Sequence, residues 1–240
     1  MARIFITGSS DGLGQLAARR LVEEGHRVVL HARNDKRAEY AIGHVPGAEK
    51  VLVAELSDME ETRRLAEEVN ALGSFDAVIH NAGVFHVSGQ VILTVNTLAP
   101  YMLTCLIQKP ERLVYLSSGM HMSGNPDLKN MDNGRISYSD SKLHDLILAK
   151  AVARRWPDVF SNAVEPGWVP TKMGGPGAPD DLQKGFETQV WLAVSEDARI
   201  SGRYFFHRKE ARYKKVADNT GLQDQFLEKC EQITGVPFPG

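Results

Sequence analysis

Cysteine is scarce in this chain. Only Cys105 and Cys230 occur, at no metal-ligand spacing, so neither a disulfide framework nor a thiolate metal site is expected. Charge of one sign is also missing: 28 Lys and Arg stand against 30 Asp and Glu, net −2, which gives no reason to invoke nucleic acid or an anionic membrane. No apolar run is expected to reach membrane-spanning length, and no internal repeat or low-complexity tract stands out. The first apolar strand begins at residue 3, which leaves no room for a signal peptide, so a reducing cytosol is the expected compartment. No linker or shift in composition divides the 240 residues, and a single domain spanning 1–240 is expected.

Against these absences stands Tyr138-Ser-Asp-Ser-Lys142, twenty positions after Ser118 at the end of an apolar run. On a helix, residues four apart share a face, so Tyr138 and Lys142 project into one site, where an ammonium favours a tyrosinate without any metal. A phenol with a free pKa of ~10 must fall by roughly 3 units to exchange protons near neutrality, worth on the order of 4 kcal/mol of charge stabilisation. Near the start, Arg3-Ile-Phe-Ile-Thr7 reads as a buried strand. It runs into Gly8-Ser-Ser-Asp-Gly12-Leu-Gly14 and then a helical stretch from Gln15 to Glu24. Strand, glycine-rich turn and helix N-terminus together make a pyrophosphate site, with Gly8, Ser10, Gly12, Leu13 and Gly14 as its members.

Further apolar runs at 28–30, 51–54, 77–80, 113–117, 161–164 and 204–207 alternate with amphipathic stretches. With the first strand they predict an α/β fold, a doubly wound parallel sheet of about seven strands with helices on both faces. Ligands bind such sheets beyond the carboxyl ends of the strands. The motifs fall there: Arg33 after the second strand, Glu55 and Leu56 after the third, Asn81-Ala82-Gly83 after the fourth, Ser118 after the fifth, Pro166-Gly167 after the sixth. For a dinucleotide, the second strand decides the cofactor. Leu30-His-Ala32-Arg33-Asn34 lacks the acid that would hold a ribose 2′-hydroxyl, and Arg33, aided by Lys36 or Arg37, suits a 2′-phosphate. NADP(H) is therefore expected, with NAD(H) left open should Arg33 be a solvated turn residue.

In this order and over nearly the whole chain, Thr7-Gly-x-x-x-Gly12-x-Gly14, Asn81-Ala-Gly83, Asn96, Ser118, Tyr138-x-x-x-Lys142 and Pro166-Gly-x-x-x-Thr171 resemble the compact single-domain branch of the short-chain dehydrogenase/reductase family. The resemblance implies a Rossmann-like fold and a carbonyl reductase or alcohol dehydrogenase, with hydride passing from nicotinamide to a carbonyl carbon while Tyr138 protonates the oxygen. It further implies that Ser118 hydrogen-bonds that oxygen, with Ser117 the alternative. Lys142 would hold the nicotinamide ribose and lower the Tyr138 pKa, and Asn96 would kink its helix and hold a water. Val169 and Thr171 join Pro166 and Gly167 as expected cofactor residues. A homodimer through the helices holding Asn96 and Tyr138, or a homotetramer, is the family expectation. Glu55 departs from the usual Asp beside the adenine.

Asn96 follows Gly83 by only 13 positions, so one wall of the pocket should be cut back. The segment 119–137 is long and carries Met120, Met122 and Met131, candidates for an apolar lining. Segment 172–185, with Gly174-Gly-Pro-Gly177, has the composition of a lid. His144 is expected to pack rather than act. The alternatives to an oxidoreductase are a catalytically silent dinucleotide-binding regulator and an epimerase or dehydratase of the same family.

Overall fold

A computed structural model describes all 240 residues. The strands are β1 (Arg3–Ile6), β2 (Arg27–Ala32), β3 (Lys50–Val53), β4 (Ala77–His80), β5 (Arg112–Leu116), β6 (Phe160–Glu165), β7 (Tyr204–Phe206) and β8 (Lys209–Glu210). The helices are α1 (Gly12–Glu23), α2 (Asp35–His44), α3 (Met59–Ala71), α4 (Gly89–Ile92), α5 (Ala99–Leu106), α6 (Tyr138–Arg155), α7 (Leu182–Val194) and α8 (Thr220–Thr234). The sheet runs β3-β2-β1-β4-β5-β6-β7-β8. Seven strands are parallel as expected; the eighth, two residues long, pairs antiparallel with β7. The chain order reverses between β1 and β4, which opens the crevice where the glycine-rich turn sits.

Period-two alternation sends side chains to two cores. Phe5 joins a cluster of 40 buried residues with α3, α5, α6 and α8, while Ile4 and Ile6 join one of 19 with α1, α2 and α7. The C-terminal segment adds to the larger core. Helix α8 packs Phe226, Leu227 and Cys230 into the larger core, Tyr101 donates to the Val236 carbonyl at 2.8 Å, and Trp156 donates to Pro239 O. As a result α6 is buried continuously from Asp140 to Val152. The C-terminal segment thus packs along α6 and reaches α5 at Tyr101.

Two expectations are corrected here. The first helix begins at Gly12, three residues early, because Asp11 caps it by accepting the Gly12 N–H at 2.8 Å. A helical run of membrane-spanning length and apolarity does exist, Gly89–Leu106, but 72% of it is buried inside the fold, and it is a core helix. Its middle, Leu93–Leu98, is a π-helical turn in which the Ala99 N–H reaches back to Thr94 O.

The β7–β8 hairpin turns on His207 and Arg208, at φ 49° and 62°. A two-residue turn with positive φ at both positions favours Asn-Gly, and side chains such as these are strained there. His207→Asn with Arg208→Gly should stabilise the fold by roughly 1 kcal/mol, raising Tm by about 3 °C in a thermal melt. A lower Tm would mean that the exposed Arg208–Glu187 pair, at 3.7 Å, outweighs the strain.

Candidate active site

One cleft of about 460 Å³ opens beyond the strand ends. Of the expected residues it gathers Gly8, Ser10, Gly12, Leu13, Arg33, Glu55, Leu56, Asn81, Ala82, Gly83, Tyr138, Lys142, Pro166 and Thr171. Gly14, Asn96, Ser118, Gly167 and Val169 are not on its wall, and each stands behind it or beside it.

The glycine turn is held from two sides. Asn81 Nδ2 donates to Thr7 O at 3.0 Å and Gly8 O at 3.1 Å, while the Asn81 and Ala82 N–H groups both donate to Thr7 Oγ1 at 3.0 Å. This clip demands Gly8 and Gly14. Gly8 sits at φ +62° with Ala82 Cα only 2.8 Å from where a Cβ would stand, and a Cβ on Gly14 would collide with the Asn81 amide. From the other side His31, buried, accepts the Gly8 N–H on Nδ1 at 2.9 Å and contacts Ala54 O through Nε2 at 2.9 Å. Two bonds of these kinds require the neutral Nε2–H tautomer. Nothing in the sequence singled out His31, because its role depends on β3 lying beside β2.

At the α2 end of the cleft, Arg33 is exposed, whereas Arg37 on α2 and Lys172 both pair with Asp11, Arg37 at 2.9 Å. Partial burial opposes the Asp11 charge, but the Lys172 and Arg37 hydrogen bonds more than offset it and hold the carboxyl at about 2. Lys36 is exposed and off the cleft. Glu55 lines the cleft beside buried Leu56, its own N–H bound by Glu61 at 2.7 Å.

At the other end, the Ser137 capping box starts α6 at Tyr138. Lys142 Nζ donates to Leu116 O at 2.7 Å and Asp145 Oδ2 at 2.8 Å, which leaves one of its N–H donors for the cleft. It lies 5.5 Å from the centre of the Tyr138 ring. Burial opposes the ammonium, yet the adjacent Asp145 carboxylate holds its pKa above the ordinary value. Phe85, from the short wall, packs tilted against Tyr138 with centroids 4.5 Å apart, a contact with no signal in the sequence.

The two serines separate by their partners. Ser117 touches the cleft, but its hydroxyl is spent on Lys142 O at 2.7 Å; Ser118 Oγ only accepts the Met120 N–H, weakly at 3.3 Å, so its proton is uncommitted. Asn96 uses both amide protons, on Val84 O and Ser141 Oγ, and accepts the Val84 N–H. It clamps the 84 loop, and only a second lone pair on Oδ1 remains for a water. Gly167 faces Asp180, and Val169 is buried, accepting the Thr171 N–H.

The methionine lining is not observed. Met131 belongs to the core and Met120 and Met122 face solvent, because Lys214 binds Gly124 O and Met122 O and pins that segment outward. Instead Met173 reaches the cleft. The segment 172–185 is also shorter as a loop than expected: Asp181 caps α7, so 182–185 are helical. His144 packs as expected, with Nδ1 3.1 Å from Thr97 Oγ1 and its ring against Phe226.

The short chain dehydrogenase family model matches residues 2–181. An uncharacterised oxidoreductase of Emericella nidulans is 46% identical, with both chains covered in full. A solved structure of an uncharacterised protein from Mycobacterium paratuberculosis superposes with a TM-score of 0.86 at 24% identity, over 100% of this chain and 96% of that one. A short-chain dehydrogenase of Shigella flexneri complexed with NADP gives 0.69 at 22% identity, over 87% and 97%. The chain belongs to the short-chain dehydrogenase/reductase family, and it is an NAD(P)-dependent oxidoreductase.

Four histidines are buried, which disfavours their charged form: burial lowers His31 and His144 to about 4 and His80 to about 3, and it lowers His121 as well. Unfolding lets each take its proton at the ordinary pKa of about 6.5, so their contribution is intact above that pH and is lost as pH falls through the folded values. For His31 alone the loss is about 3 kcal/mol by pH 4. Urea unfolding from pH 7 to 4 should show this decline, and His31→Gln should flatten it; an unchanged slope would mean that His31 is not neutral in the fold.

Proposed function

We propose that this protein is an NADP(H)-dependent carbonyl reductase or alcohol dehydrogenase for a small-molecule substrate, with Tyr138 as its general acid and base. The observation that carries the reading is the placement of Tyr138 and Lys142 on one face of α6, in the same cleft as the clipped glycine turn. That cleft fits a dinucleotide. Gly8 leaves room where any side chain would collide, the turn opens into the N-terminus of α1, and Arg33, Arg37 and Lys172 gather at one end. The neighbour complexed with NADP supports the choice of cofactor.

Bound NADP(H) would supply or accept the hydride. Gly8, Ser10, Gly12 and Leu13 would cradle the pyrophosphate, Arg33 and Arg37 the 2′-phosphate, Glu55 and Leu56 the adenine, and Asn81 to Gly83 the adjoining ribose. Gly14 and Asn81 keep the turn in shape, and Pro166, Gly167, Val169 and Thr171 would wall the nicotinamide end. Tyr138 gives its proton to the carbonyl oxygen, Ser118 donates a hydrogen bond to the same atom, and Lys142 stabilises the tyrosinate left behind. Asn96 holds the 84 loop against Ser141 and so fixes the wall that carries Phe85. The C-terminal segment packed along α6 and against Tyr101 of α5 supports a monomer rather than the family homodimer.

Tyr138→Phe removes only a hydroxyl. It should abolish NADPH-dependent reduction across a panel of aldehydes, ketones and quinones while NADPH affinity stays within about threefold. Retained turnover would remove Tyr138 from the reaction. Arg33→Ala should weaken NADPH binding roughly 10-fold to 100-fold, the usual cost of a charge-assisted pair, and leave NADH unchanged. Equal effects on both would place Arg33 in solvent.

A further inference from the structure

Lys142 is anchored by two groups, and only one of them answers its charge. Asp145 stands one turn along α6, its carboxylate 4% exposed against 5% for the ammonium it meets at 2.8 Å. The other anchor is the neutral Leu116 carbonyl. A buried ammonium without a counter-ion reduces its proton affinity until it is neutral, and a neutral amine beside Tyr138 gives a tyrosinate no support.

No other ionisable group on the surrounding elements takes the place of Asp145. From β5 the Tyr115 phenol feels its charge but is held protonated by burial, with its hydroxyl on Thr104 of α5, which also contacts neutral His80 of β4. Glu165 of β6 accepts from Tyr204, Asp218 pairs with Lys150, and His121 is spent between Ser118 O and the Lys214 N–H. His144 faces Thr97, Cys230 of α8 lies toward Tyr101, and the π-turn Leu93–Leu98 has nothing to titrate.

We propose that Asp145 is a positioning residue that keeps Lys142 charged and aimed at Tyr138, and so sets the pH at which the Tyr138–Lys142 pair can exchange a proton. This rests on the reading of Tyr138 and Lys142 given above. Asp145 does not line the cleft and acts only through the ammonium. Burial raises its own carboxyl to about 6 against the pull of Lys142, so the pair is weakened as pH falls below that value.

The test is Asp145→Asn, which keeps the side chain's shape and a carbonyl oxygen to accept from Lys142 but removes the charge. In alcohol oxidation, where the tyrosinate must accept a proton, kcat should fall at least about tenfold at pH 7, and the acidic limb of the kcat–pH profile should move up by about one unit. Asp145→Glu should restore part of both. A limb that stays in place, or moves to lower pH, overturns the proposal. A second comparison does not depend on Asp145→Asn folding alone: Lys142→Met and Lys142→Met/Asp145→Asn should have equal kcat, because Asp145 has then lost the group it acts through. A further drop of about tenfold in the double variant would give Asp145 a role of its own and overturn the proposal. If Tyr138→Phe remains active, the functional reading itself fails; if it is inactive and the limb does not move, only the role of Asp145 fails.

Discussion

Burying one ammonium organises this molecule. Lys142 carries a positive charge to the floor of a cleft, 4% exposed, and such a group survives only where geometry repays its lost hydration. Each neighbouring feature contributes to that repayment. The end of β5 offers the Leu116 carbonyl, and α6 offers Asp145. Gly83 borders Nζ, where a Cβ would stand in ordinary contact at 3.6 Å. Ser117, the residue after β5, locks the helix by donating to the Lys142 carbonyl. The helix must be fixed on every side, and α8 with the tail residues Val236 and Phe238 closes the side that solvent would otherwise reach.

The dinucleotide end obeys a related constraint, because a turn of backbone amides has to be held open before any anion arrives. Asn81 and His31 do this by hydrogen bonds to the backbone of Thr7 and Gly8, while the Thr7 hydroxyl ties down the Asn81 and Ala82 N–H groups, and together they consume groups that would otherwise wait for water. Asp11 holds two cations beside Arg33, so they are not left to repel one another. The π-turn serves the opposite end: its extra residue brings Asn96 round to grip Val84, which turns Phe85 toward Tyr138.

Much of this was legible in the sequence, for a physical reason. Parallel strands buried on both faces are short apolar runs, and the residues that follow them reach the same crevice whatever the rest of the chain does. Gly8, Asn81, Tyr138 and Lys142 could therefore be placed together from order and spacing alone. The family resemblance implied a break in helix geometry at Asn96, and a π-turn occupies Leu93–Leu98. What escaped was set by tertiary neighbours. Asp145 is one of several polar residues on α6 until burial shows which of them answers a charge. His31 reads as a strand residue until β3 brings Ala54 beside it. Met120 and Met122 resemble pocket residues until Lys214, more than 90 positions away, ties their loop outward. The packing of the C-terminal segment met the same limit: only the fold reveals that Phe226 and Leu227 join the core beside α6 and that Tyr101 of α5 bonds to Val236.

The central claim is that this cleft moves hydride between a nicotinamide and a carbonyl carbon under proton donation from the protein. Deuterium transfer tests it most directly. NADPH labelled with deuterium at one face of nicotinamide C4 is incubated with the enzyme and a reducible aldehyde or ketone, and the product alcohol is examined by mass spectrometry and NMR. With one of the two labelled faces the deuterium should appear at the carbinol carbon, and with the other it should stay on the oxidised cofactor. A cofactor that binds yet yields no labelled alcohol from either face, across the whole substrate panel, would contradict the account.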